Sequence, residues 1–237
     1  MSIPLNLIHF YIGAPILAYI SIHGLFFTRN KNNIVTRYFA WATGVYAIAA
    51  CIYALPVLFT HDSDVLTLTT VIADIVQYIS LGIVGLLATH LSLTRWPWVR
   101  RAANLVIFLA SLVFIYVSYH ENTAFPAQFV MMDGVAHFEY VSTRTYSIMT
   151  GVAFSPLLFV GLSFLMQVRE AMRTSQKYRI AGFGVFLAIV GLVMVVAPIF
   201  RFDIATTAVT IPVVVAFVLM TILLMLSYLT SKKEPKA

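Results

Sequence analysis

The run VLTLTTVIADIVQYISLGIVGLLATHLS, Val65–Ser92, decides how this chain is read. It is long enough to cross a bilayer, since roughly 20 residues at about 1.5 Å each span the hydrocarbon core. Inside it stands Asp74, with Thr70, Gln77 and Tyr78 at i−4, i+3 and i+4, so the four side chains share one stripe of a helix. A carboxyl in hydrocarbon costs at least a few kcal/mol, so this stripe must face protein or water. Two readings compete: a ligand- or ion-binding site, and a hydrogen-bond knot between helices.

The rest of the composition agrees with a membrane setting. The chain is 61% hydrophobic and 10% charged, with a mean hydropathy of +0.92, whereas a soluble domain carries about 25% charged residues. Its single cysteine, Cys51, leaves no intrachain disulfide and no cysteine metal cluster. The net charge of +6 does not point to nucleic acid, because the basic residues are scattered over short connections rather than gathered in a patch.

Outward from Val65–Ser92, six more apolar segments reach spanning length: Leu5–Phe27, Tyr38–Thr60, Ala102–Tyr119, Tyr146–Val168, Ile180–Phe200 and Ile204–Tyr228. The expected fold is therefore an all-α seven-transmembrane helix bundle forming one domain over residues 1–237. The first segment lacks the basic flank of a signal peptide and continues into a multispan chain. Alternate connections carry all but Arg144 and Arg201 of the 15 lysines and arginines. The positive-inside rule places that side in the cytoplasm, with the N-terminus outside and the C-terminus inside, in the cell's inner (plasma) membrane.

The longest connection, His120–Thr145, falls on the outer side. Its two extended runs, Ala127–Met132 and Val135–Tyr140, flank Asp133–Gly134, a strong signal for a short extracellular β-hairpin. Phe129, Met131, His137 and Tyr140 are placed to cover the outer mouth of the bundle, or to cap helix ends as an ordinary loop does. Polar groups at the same depth include Asn6, His9, Tyr11, Tyr53, Ser147 and Thr150. Arg201 and Asp203 flank the last outer turn. Pro56, Pro156, Pro198 and Pro212 are each expected to kink a helix and splay its end. Together these imply an outward-facing cavity with Asp74 on its wall and Arg144 or Arg201 as counter-ion. The fourth span is apolar on every face from Leu105 to Val117 apart from Ser111, so it is expected to border lipid or another subunit.

Other chemistries lack their residues. No histidine pair has H-x-x-x-H or H-E-x-x-H spacing, so no metal site is expected, and there is neither a G-x-S-x-G nucleophile nor a glycine-rich phosphate loop. No lysine lies inside a span to carry a retinal Schiff base, and no facing mid-membrane histidines await haem. The reading is of a protein that is not an enzyme and holds no cofactor.

The seven spans, the loop between the fourth and fifth, its G-x-x-x-F-x-Y run (Gly134, Phe138, Tyr140) and the arginine-rich connection leading to a sixth span with a late proline (Arg169–Pro198) have a counterpart. In these features the chain resembles bacterial seven-helix sensor domains, the membrane input regions found ahead of histidine kinases and cyclic-nucleotide enzymes. The resemblance implies a receptor that signals inward. It departs from that family in ending at Ala237 without an output domain, which implies either a receptor-only piece or a separate cytoplasmic signalling partner. No functional residue carries over by motif.

The functional expectation is a receptor for a small extracellular ligand, bound by Asp74, Gln77, Tyr78, Thr70, His9, Tyr53, Tyr140 and Arg201. An amine would pair with an ionised Asp74, a neutral ligand with the protonated acid. The alternatives are a proton- or cation-coupled small-solute transporter and a structural or assembly subunit. Besides the ligand, the expected partners are the lipid bilayer and a signalling protein, with no nucleic acid.

Overall fold

Segments that meet no water must satisfy every backbone N–H and C=O internally, and a helix does this within one segment. The computed structural model describes residues 7–27, 32–132, 135–139, 143–199 and 207–232. Among them, seven helices are long and apolar enough to cross a membrane, the make-up of a multi-pass membrane protein. They are α1 (Ile8–Ile22, continued by a π-helical turn at His23–Phe27), α2 (Ile34–Ala54), α3 (Ser63–Ser92), α4 (Pro97–Ala124), α5 (Arg144–Gln167), α6 (Thr174–Val196) and α7 (Thr207–Ser231). Between α4 and α5, β1 (Gln128–Met132) and β2 (Val135–Glu139) pair antiparallel, with Gln128 opposite Glu139 and Val130 opposite His137. The Asp133–Gly134 turn lies outside the described residues.

One helix, α4, begins earlier and runs further than the apolar segment that announces it. α4 extends from Pro97 to Ala124 where hydropathy marks only Ala102–Tyr119. Arginines and polar side chains at a helix end reach the interface without breaking the backbone ladder, so hydropathy sees less than the helix. Side-chain caps fix several starts. Asn33 accepts from the Val35 N–H at 2.8 Å, Asp62 from those of Asp64 and Val65 at 2.9 and 3.3 Å, and Thr143 from that of Tyr146 at 3.2 Å. Pro56 and Pro198 do not kink helices. Pro56 opens a 3₁₀ turn after α2 and Pro198 follows the last residue of α6, positions where the missing N–H and the ring clash break no interior hydrogen bond. Pro156 and Pro212 do lie inside α5 and α7.

Neighbour contacts run α1–α2–α3–α5–α6–α7, and α1 against α7 closes them into a ring. α4 stands outside that ring, against α3 and, more lightly, α5. Only 6% of its apolar window is buried, and its buried residues are Ser118 and Asn122. The main core fills the ring, with Leu17, Leu81, Leu87, Phe154, Phe186 and Phe217 among its members. A smaller cluster of Leu7, Tyr53, Val57, Leu66, Ala73 and Ala127 sits at the end that carries the hairpin.

α5 and α6 approach most closely through glycine. A Cβ on Gly191 would run into the Leu158 backbone, and one on Gly161 into that of Ala188. Packing, not a hydrophobic drive, holds helices together in lipid, so this contact matters. Gly191→Ala is expected to cost about 1–3 kcal/mol by overpacking. Gly82→Ala, whose Cβ would meet only the Ser111 side chain, its Oγ at 3.0 Å, should cost less, because a side chain gives way where a backbone does not and alanine favours the helix. Thermal unfolding of both variants in detergent checks this, and equal shifts would refute backbone contact as the cause.

Candidate functional site

Asp74 is 6% exposed and is held entirely by protein groups. Its Oδ2 accepts from Ser118 Oγ at 2.6 Å, Asn122 Nδ2 at 2.9 Å and Tyr146 Oη at 2.6 Å. Ser118 and Asn122 stand four apart on α4 and therefore project from one face. Asn122 also bonds the Ser118 carbonyl at 2.9 Å and hydroxyl at 3.1 Å, which fixes both donors. Tyr146 comes from the first turn of α5, and its hydroxyl is also a partner of Tyr78. Tyr78 shares a 3.2 Å hydrogen bond with Thr150, one turn further along α5, and packs against Phe114 of α4. A second tie lies nearby: Glu121 of α4 accepts from the Thr143 hydroxyl at 2.8 Å and so holds the residue that caps α5. One carboxyl thus joins three helices. At Oδ2 this is the hydrogen-bonded satisfaction that a buried polar group requires.

The expected ligand-binding set divides accordingly. Asp74 and Tyr78 are brought together, but as members of this hub. Thr70 donates to the Leu66 carbonyl of its own helix at 2.8 Å. Gln77 is half-buried and makes no side-chain hydrogen bond among the described residues. Tyr53 is buried against Phe10, ring centroids 5.0 Å apart, in the smaller cluster. The side chain of His9, and all of Tyr140 and Arg201, lie outside the described residues, as do the side chains of Phe129, Met131 and His137. Arg144 is exposed and forms no ion pair with Asp74. A carboxylate oxygen offers about two lone pairs, so three donors saturate Oδ2. A ligand at that atom would have to displace Ser118, Asn122 or Tyr146. The hub positions helices, and among the described residues Asp74 is not part of the cavity wall.

The cavity is elsewhere. It lies within the ring, has a volume of about 70 Å³, and is lined from every helix except α4. That is several times the room one water needs. Small residues (Gly13, Ala14, Ala42, Ala50) leave the space, and Phe10, Phe39, Phe154, Phe186 and Phe217 wall it. Its polar lining is Thr43, Ser80 and Tyr46. The Thr43 hydroxyl is spent on the Phe39 and Ala40 carbonyls of its own helix, and Ser80 donates to the Ala42 carbonyl at 2.8 Å.

Ser118 and Asn122 are the partners that sequence reasoning missed. Their signal was a polar i, i+4 pair where the fourth apolar segment ends, hidden because the hydropathy window closes at Tyr119. Among the described residues no three His, Cys, Asp or Glu side chains gather as a metal site.

Asp74→Ala would leave two hydroxyls and an amide facing an apolar gap, at an expected loss of about 3 kcal/mol or more, and Tyr146→Phe about 1–2 kcal/mol. Thr70→Val, which breaks only a bond within its own helix, should cost less than either. Thermal unfolding of the three variants gives the ranking, and a Thr70→Val loss as large as that of Asp74→Ala would remove the hub from the account. No family model matches this sequence, and no curated protein matches it.

Proposed function

We propose that this protein is a seven-helix membrane receptor or sensor whose small ligand occupies the central cavity. The observation that carries the reading is the cavity itself, a hollow shared by six helices at the middle of the ring. A guest there touches every ring helix, so its presence or absence bears on how they pack. A ligand shifts a bundle only if it binds two arrangements unequally, and a site walled by six separate helices provides for that difference. The distribution of lysine and arginine supports an N-terminus outside, a hairpin on the outer face and a cytoplasmic C-terminus. On that orientation the start of β1 lies at the outer end, held to α3 where Ser63 donates to the Ala127 carbonyl at 3.0 Å and the Ala127 N–H donates to Thr67 at 3.0 Å. The pattern-level likeness to bacterial sensor domains supports a separate cytoplasmic signalling protein as the partner and the plasma membrane as the location.

Native mass spectrometry of the full chain tests this. Wild type is expected to carry a co-purifying small molecule that Val84→Phe lacks, because Val84 is buried on the cavity wall and a larger ring fills the space. The same bound species in both proteins would refute the cavity as the site. Flux of that molecule into proteoliposomes would replace the receptor with a transporter.

A further inference from the structure

The cavity wall is apolar but for three side chains, and these are not equivalent. Thr43 and Ser80 have given their protons to backbone carbonyls. Tyr46 lines the same space, and among the described residues its hydroxyl has no hydrogen-bond partner. A phenol with its proton unspent on an otherwise apolar wall is a donor open to a guest. No charged side chain is on the wall, so an ionised guest would give up its hydration for nothing in return.

Resting on the reading of the cavity as the ligand site, we infer that its ligand is a small, neutral, lipid-soluble molecule with a single hydrogen-bond acceptor, a carbonyl or ether oxygen, that accepts a hydrogen bond from the Tyr46 hydroxyl. This decides between the two ligand classes that the sequence leaves open. An amine would need a carboxylate on the wall, and Asp74 is turned into the hub among Ser118, Asn122 and Tyr146. Tyr46 is thus a specificity-determining contact, and the phenyl rings around it supply the bulk of the burial.

The test uses the full chain in lipid nanodiscs and three small probes of equal chain length: 2-pentanone, pentane and pentylammonium. Binding is read from the dependence of the unfolding temperature on probe concentration, for wild type, Tyr46→Phe and Val84→Phe. Tyr46→Phe removes one hydroxyl that bonds nothing among the described residues, so it should fold as wild type does. Expected is that the ketone binds wild type about two- to tenfold more tightly than the alkane, the margin of one neutral hydrogen bond. That preference should vanish in Tyr46→Phe, and Val84→Phe should weaken both probes. Equal ketone and alkane binding, both weakened by Val84→Phe, would overturn the Tyr46 assignment while keeping the cavity. Tightest binding by the ammonium probe, indifferent to Tyr46→Phe, would overturn the ligand class. No binding that Val84→Phe weakens would remove the cavity reading, and this inference with it.

Discussion

A carboxyl buried in a membrane bundle has to be met by donors from the protein, and this one requirement arranges the end of the molecule that carries the hairpin. Asp74 draws a serine and an asparagine from α4 and a tyrosine from α5 onto a single oxygen. The consequence is greatest for α4. Its remaining surface is apolar and outward, with Phe108, Leu109, Leu112, Val113 and Tyr116 all exposed from the bundle. Between equally apolar surroundings of lipid and protein there is little to choose, so polar contacts weigh heavily in where such a helix sits. The two residues that α4 buries are the two that reach Asp74.

The ring has the opposite problem. Six helices packed side by side leave a hollow unless large side chains meet across the middle, and here glycine and alanine occupy several of the inward positions while the phenylalanines stand around them. Close approach is achieved where backbones touch, at Gly161 and Gly191 between α5 and α6, not at the centre. Apolar space of this kind stays dry and accepts apolar guests. The carboxyl is held among donors from α4 and α5 and the cavity is walled mostly by apolar side chains, with adjacent turns of α3 serving each.

That separation marks the boundary of what the sequence discloses. Spans are legible because hydropathy is a property of each segment alone. The stripe of Asp74 and Tyr78 is legible because helical periodicity is local as well. Which helix answers a buried carboxyl depends on how neighbours are rotated about their axes, and no single segment records that. Ser118 and Asn122 satisfied the spacing rule, yet the apolar segment closes between them, at Tyr119. The cavity leaves no residue signature, since it results from side chains that fail to meet. Gln77 illustrates the reverse error: a shared stripe places a side chain near the hub without giving it a bond.

Hub and cavity nonetheless share their helices. Tyr78, in the hub, and Ser80, on the cavity wall, are neighbours on α3; Thr150, in the hub, and Phe154, on the wall, are one turn apart on α5. Tyr46 of α2, on the wall, also interacts electrostatically with Asp74. A guest that spreads α3 from α5 at Leu81 and Leu157 would act on the same pair of helices that Asp74 and Tyr146 bridge at 2.6 Å, a distance with little slack before the bond weakens. α4, outside the ring, stays tied to α3 through Ser118 and Asn122 when that bridge is strained. On the receptor reading the carboxyl is then the latch and the apolar chamber is where it is worked, which explains why a polar group unsuited to touching the ligand sits so close to it.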